Sequence, residues 1–294
     1  MTEQDMSPQT SEYVAPEEKG SCGCGGKCNH CSQTRGSVPP SYVYAVGRIE
    51  PRLPSLGIEK EFAQAMGRAE TASMTDRQAL HTILSDPQNR YLSKQLCYVM
   101  AIRGIDTYVV SPRDLLDYGV LVEALGAAPR TSDLHVVIGV QGPLAPPDFC
   151  GGLVLPMILF DQIYAFDADS LVGSLPKPDE ADEEQFRSAA DELFERLIQV
   201  ADNSGSSDEH RAVNYCTVRY PAIYELAAQR FATGQALTAI ETRPSRLSGP
   251  RNIVDVLFSY TNRKTDVTEK YFVRVDVTEE FPFLVTKLSP YYDR

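Results

Sequence analysis

No apolar run in this 294-residue chain approaches the ~18 residues that a spanning helix requires, so a helical membrane protein is excluded. The amino terminus, Met1-Thr-Glu-Gln-Asp5, has neither the basic nor the apolar region of a secretory signal, and a cytoplasmic location is expected. Positive charge is also scarce: 28 Lys and Arg stand against 40 Asp and Glu, a net charge of -12. Phosphate backbones and anionic bilayers need clustered cations, so neither nucleic acid nor membrane is expected as a partner. Much of the excess is local, since residues 179–209 hold eleven carboxylates against Arg187 and Arg196, which reads as a solvated helix face. The motifs G-x-S-x-G, H-E-x-x-H, G-x-x-x-x-G-K-[ST] and G-x-G-x-x-G are all missing, which leaves the familiar catalytic classes without support. There is no internal repeat and no strict βαβ alternation, so a doubly wound parallel sheet is disfavoured.

What remains is 43% apolar and 23% charged, enough for a packed core. Residues 1–40 are rich in Ser, Gly, Pro and Glu and read as a mobile arm, and residues 41–294 as one globular body. The body opens on a strand from Tyr42 to Ile49 that Pro51 and Pro54 end. Helices follow near 55–68 and 76–86, the second with a capping box, Thr75-Asp-Arg-Gln78. Residues 95–102 and 105–110 flank Arg103-Gly104 as a tight hairpin does. A short helix near 113–125 and a strand near 133–140 lead to Gly142-Pro-Leu-Ala-Pro-Pro147, which predicts an irregular loop. Buried strands are expected within 153–166, and a one-sided helix over 180–201 with Phe186, Ala190, Leu193, Phe194 and Leu197 inward. Another helix near 221–233 and strands at 236–242, 252–260 and 271–277 complete an α+β fold with a mixed, mainly antiparallel sheet.

Seven cysteines form an odd set with no export signal before them, which argues against a disulfide framework. Four crowd into Cys22-Gly-Cys24-Gly-Gly-Lys-Cys28-Asn-His-Cys31. Four thiolates satisfy a tetrahedral zinc ion and the glycines let a short chain wrap it, with His30 as an alternative ligand. A full sulfur set leaves no open position for water, so the site reads as structural; an iron–sulfur cluster is the alternative cofactor, and an unliganded tail also stays open. Incomplete ligation within one chain also permits ligands shared across a dimer.

Cys97 and Cys216 sit among apolar neighbours and read as packing residues. Cys150, before Gly151-Gly152, is a candidate exposed sulfur, though no cation beside it in sequence lowers its pKa. His135 on a strand and His81 on a helix read as structural histidines, and His210 as part of a charged loop. Phe160-Asp161-Gln162-Ile163-Tyr164 sets a carboxylate, an amide and a phenol in an apolar stretch; such groups either satisfy loop backbone or line a pocket. The weak catalytic candidates are therefore Asp161, Tyr164, Cys150 and His135.

Several blocks carry a resemblance: Tyr42-Val-Tyr-Ala-Val-Gly-Arg-Ile-Glu-Pro-Arg52, Glu59-Lys-Glu-Phe-Ala-Gln64, Asp76-Arg-Gln-Ala-Leu-His81, Asn89-Arg-Tyr-Leu92, Val137-Ile-Gly-Val-Gln-Gly-Pro143 and Phe160-Asp-Gln-Ile-Tyr164. From about Ser41 to about Leu288 the chain resembles the C-terminal domain of the cyanobactin maturation proteases of the PatA/PatG type. In that family the domain follows a subtilisin-like protease acting on ribosomally made precursor peptides. The resemblance thus implies a setting in peptide natural-product maturation, but no proteolysis, because the sequence shows no Ser-His-Asp context. The expected function is a non-catalytic accessory protein that binds a precursor peptide, a maturation protease or a second copy of itself. The alternatives are a peptide-modifying enzyme with a pocket near residues 135–164, and a dimerisation module.

Overall fold

The computed structural model describes residues 40–67, 73–126, 130, 132–175 and 183–292, all within the unit that begins at Pro40. Its first half is built on five strands, β1 (Tyr42–Arg52), β2 (Cys97–Ile102), β3 (Ile105–Pro112), β4 (Asp133–Leu144) and β5 (Pro156–Asp167). They close into a barrel in the order β1-β2-β3-β5-β4, with β4 pairing back onto β1. Every pairing is antiparallel except β3 with β5. Helices α1 (Leu56–Met66), α2 (Asp76–Ser85) and α3 (Arg90–Ser93) fill the β1–β2 connection, and α4 (Tyr118–Leu125) lies between β3 and β4. A five-stranded closed Greek-key barrel with this order has the topology of the OB-fold.

Alternation and capping explain most of these elements. Val43, Ile49, Met100, Val110, Val137 and Ile158 point into one buried cluster, which Phe62, Ile83 and Leu121 of the surrounding helices join. Both halves of the Thr75 capping box form, so α2 begins where its sequence predicts. Arg103 and Gly104 both have positive φ, 53° and 78°, the backbone that a two-residue hairpin turn needs to match strand twist.

Two strands outrun their expected ends. β1 continues to Arg52 through Pro51, because its pairing to β4 stops at Gly47 and leaves that edge open to a residue without an N–H. β4 likewise continues through Gly142-Pro143 to Leu144, and the irregular loop starts only at Ala145.

The second half carries α5 (Ala168–Ser174), α6 (Glu183–Ile198), α7 (Asp208–Arg219) and α8 (Ala222–Ala232), then β6 (Gln235–Pro244), β7 (Ile253–Asn262), β8 (Thr268–Asp276) and β9 (Phe283–Tyr291). The four strands form an antiparallel meander in sequence order. Phe186, Ala190, Leu193 and Leu197 of α6 pack with Ile223 of α8 onto Val254, Val256 and Phe258 of β7 and Val273 and Val275 of β8. The fold is α+β, in two sheets rather than one.

Helix α7 joins the halves and is the largest departure from expectation, since its first turn holds His210 where a charged loop is expected. Ser207 caps it by accepting from the His210 N–H at 3.1 Å. It is buried on several sides, with Arg211, Asn214 and Thr217 among its buried residues, so no one-sided apolar stripe marks it. Asn214 donates to the Tyr44 carbonyl of β1 at 2.8 Å and exchanges hydrogen bonds with Asn203. Among the described residues, no helix is long and apolar enough to cross a membrane.

Candidate functional site

The four catalytic candidates do not converge. His135 is fully buried inside the barrel wall, where the Ile49 N–H donates to its Nδ1 at 3.1 Å and its Nε2 lies 2.7 Å from the Ala124 carbonyl. These bonds fix a neutral ring with the proton on Nε2, and burial holds its pKa below the usual histidine value. It is a satisfied core residue, as expected.

Cys150 is not an exposed sulfur. It is buried and joined in a disulfide to Cys97, with Cα atoms 5.3 Å apart. Reading Cys97 as a simple packing thiol is corrected by the same bond. Their separation of 53 residues hid the pairing, because the start of β2 comes near the β4–β5 connection only through the strand pairings across β3. Cys216 is the buried free thiol among the described residues, its pKa pushed up by burial, and it packs as expected. Cys22, Cys24, Cys28, Cys31 and His30 lie outside the described residues.

A β-bulge leaves Asp161 and Tyr164 on the same outer face of β5, but in different surroundings. Gln162 pairs with Ile138 and Phe160 with Gly139, so Asp161 is the extra residue on β5. Phe160 and Ile163 turn into the core while Asp161 and Gln162 are both exposed. Gly139 is required opposite the bulge, since a Cβ there collides with the Leu159 carbonyl and the Phe160 Cα. Tyr164 instead meets the Tyr44 hydroxyl at 2.7 Å, with the Arg219 guanidinium 5.0 Å from its ring centre. Burial raises the pKa of both phenols, and the pair packs the barrel against α7.

Asp161 acquires partners that the sequence did not suggest. Arg113, whose N–H extends the β3–β5 ladder by donating to the Phe160 carbonyl, lies 3.0 Å from the Asp161 carboxylate. Glu280, from the β8–β9 turn, approaches the same guanidinium at 3.9 Å. Arg211 of α7 holds that turn in place: it donates to the carbonyls of Val277 at 2.6 Å, Glu280 at 3.2 Å and Glu279, and stacks 5.3 Å from the Tyr42 ring centre. Burial, and then the hydrogen bond and negative charge of Asp161, push the Glu280 carboxyl up to about 7. Glu280 therefore keeps its proton to a higher pH than an ordinary carboxyl, which suits a general acid. Glu280 sits in a polar turn that looks like ordinary surface charge, so no local signal pointed to it.

The linkage has a defined sign. Because the Glu280 pKa is raised on folding from the ordinary carboxylate range, its contribution is fully present below the unfolded pKa and is lost as pH rises through about 7. Glu280→Gln, which cannot ionise, is expected to flatten the stability profile over that window and to exceed the parent in stability on its alkaline side. Denaturant titrations at several pH values measure this, and parallel profiles for the two proteins exclude the pairing.

Beside Asp161 lies an open depression of about 410 Å³, lined also by Arg113, Asp114, Leu115 and Asp117. Leu115 is shared with a second hollow of about 610 Å³ that runs between α3 and α4. Among the described residues, no group of three or more His, Cys, Asp or Glu side chains is placed to hold a metal ion.

An OB-type barrel joined by a buried helix to a helix-covered meander, with a carboxyl pair at their junction, defines the class of protein. Residues 180–291 match the family model described as PatG C-terminal. The solved structure titled "PatG Domain of Unknown Function" shares the fold, with a TM-score of 0.71 at 18% identity over 86% of this chain and 99% of that chain. No curated protein matches. Over residues 180–291 the chain is therefore similar to the PatG C-terminal domain, and the fold shared with the solved structure extends beyond that span.

Proposed function

We propose that this chain is a non-catalytic accessory protein of cyanobactin-type ribosomal peptide maturation, binding a precursor peptide, a maturation protease or a second copy of itself. The observation that supports it is the PatG C-terminal match over residues 180–291. The four catalytic candidates also lie apart, two of them absorbed into core packing and a disulfide. The test is to titrate the full chain with a precursor peptide and, separately, with a maturation protease encoded near it, following binding by calorimetry in both and peptide mass in the protease-free mixture. Saturable binding without a mass change is the expected result, and no interaction with either partner overturns it.

A second reading, a peptide-modifying enzyme, is favoured by the Asp161–Glu280 pair, because a carboxyl that titrates near neutrality can move a proton. In the same experiment it demands a mass or stereochemical change in the peptide that Asp161→Asn abolishes.

Cys22, Cys24, Cys28 and Cys31 are proposed to hold a structural zinc ion, with His30 in reserve and an iron–sulfur cluster as the alternative. What supports this is the crowding of four thiols among glycines. About one zinc per chain in the purified protein, lost when Cys24 and Cys28 are both changed to Ser, is the expected elemental analysis; iron with acid-labile sulfide, or no metal, contradicts it.

A further inference from the structure

The 610 Å³ groove between α3 and α4 combines apolar and basic side chains. Its edges carry Tyr91, Leu115 and Leu116, which are 52%, 65% and 84% exposed. Its floor is the core itself, through Leu84, Tyr118 and Val122. A contiguous apolar hollow with protruding large side chains is what a partner surface offers before it is covered. The charge along the groove is also reversed relative to the chain. Arg90 and Lys94, four residues apart and so on one face of α3 and its cap, line it against a single carboxylate, Glu123. Over the whole sequence acid exceeds base, 40 to 28.

These features narrow the occupant. A purely apolar ligand leaves Arg90 and Lys94 without a counterpart, and a basic one is repelled by them. We propose that this groove docks a short peptide segment combining apolar side chains with carboxylates, the former against Tyr91, Leu115 and Leu116 and the latter facing Arg90 and Lys94. An amphipathic helix laid into an apolar groove meets these demands with anchors at i, i+3 and i+4 and acidic residues along its flank. The proposal rests on the accessory reading above and names the chemistry of the peptide that such a protein binds. It also gives the α1–α3 insertion a role, since α3 supplies one wall of the groove.

The probe is a fluorescein-labelled helical peptide with Leu at i, i+3, i+4 and i+7 and Glu at the remaining positions, read by anisotropy against the full chain. Saturable binding that weakens as salt rises is expected, with at least ~10-fold loss in the double variant Arg90→Glu/Lys94→Glu and a comparable loss in Leu116→Asp. All three positions lie at the surface, so unchanged thermal unfolding certifies that each variant is folded. Equal binding of a probe with Lys in place of Glu, unchanged affinity in the charge-reversed variant, or preference for a single-stranded oligonucleotide overturns the proposal. Its failure is distinguishable from that of the accessory reading. A precursor or protease that still binds the charge-reversed protein removes the groove and leaves the accessory role, whereas a probe that binds while both natural partners fail does the reverse.

Discussion

Replacing Cys97 and Cys150 together by alanine is expected to lower the unfolding free energy by about 3–4 kcal/mol. The bond spans 53 residues, and a cross-link of that length removes loop-closure entropy worth about 4 kcal/mol from the unfolded chain. Both sulfurs also belong to a small buried cluster with Val99, Val109 and Ala145, so their loss forfeits packing as well. For a body of this size the melting temperature should fall by roughly 10 °C. Reductant should destabilise the parent and leave the double variant unmoved. A digest without reductant should yield the Cys97 and Cys150 peptides linked, and two separate peptides from fully folded protein would contradict the pairing. Disulfides persist in oxidising surroundings, so this bond and the cytoplasmic location expected from the amino terminus pull in opposite directions, and the same digest on protein from its native compartment weighs them.

Arg211→Met should cost about 2–4 kcal/mol although it removes a single side chain of similar length. The guanidinium is 2% exposed and serves the carbonyls of Val277, Glu279 and Glu280 at once, so a thioether leaves those acceptors without their donor. Its nearest carboxylate, Asp208, lies at 3.4 Å, which makes the carbonyl fan the stronger reason for its burial. Arg211→Lys should recover only part of the loss, because an ammonium lacks the planar fork that reaches several acceptors in fixed directions. Denaturant titration measures both variants. If lysine restores full stability, the role is one of charge alone. The Met variant should also blunt the pH dependence assigned to Glu280, since the turn that brings its carboxyl to Asp161 is no longer held.

Local patterns made much of the fold legible. The period of 3.6 in Phe186, Ala190, Leu193 and Leu197, the capping box at Thr75 and the positive-φ turn at Arg103-Gly104 are short-range signals, and each lies where the sequence placed it. Elements that failed to announce themselves share a cause. Helix α7 is enclosed by the barrel and the meander, and it buries Arg211 and Asn214 where a surface helix would bury a periodic apolar stripe. Strand β9 mixes Lys287, Ser289 and Pro290 into an edge position paired only to β8, where apolar alternation is not demanded.

By itself the sequence determined an acidic α+β body and a likeness to the PatG C-terminal domain. Its physical means were composition, periodicity and capping, each of which acts over a few residues. Only the tertiary structure decided that five strands close into a barrel, that Cys97 meets Cys150, and that Asp161 faces Arg113 and Glu280. Those contacts join residues from 48 to 119 positions apart, and their partners are selected by the pairing of the strands and by the turn that Arg211 holds. No local preference encodes a meeting at that range; it exists once the packed core has fixed where each strand ends.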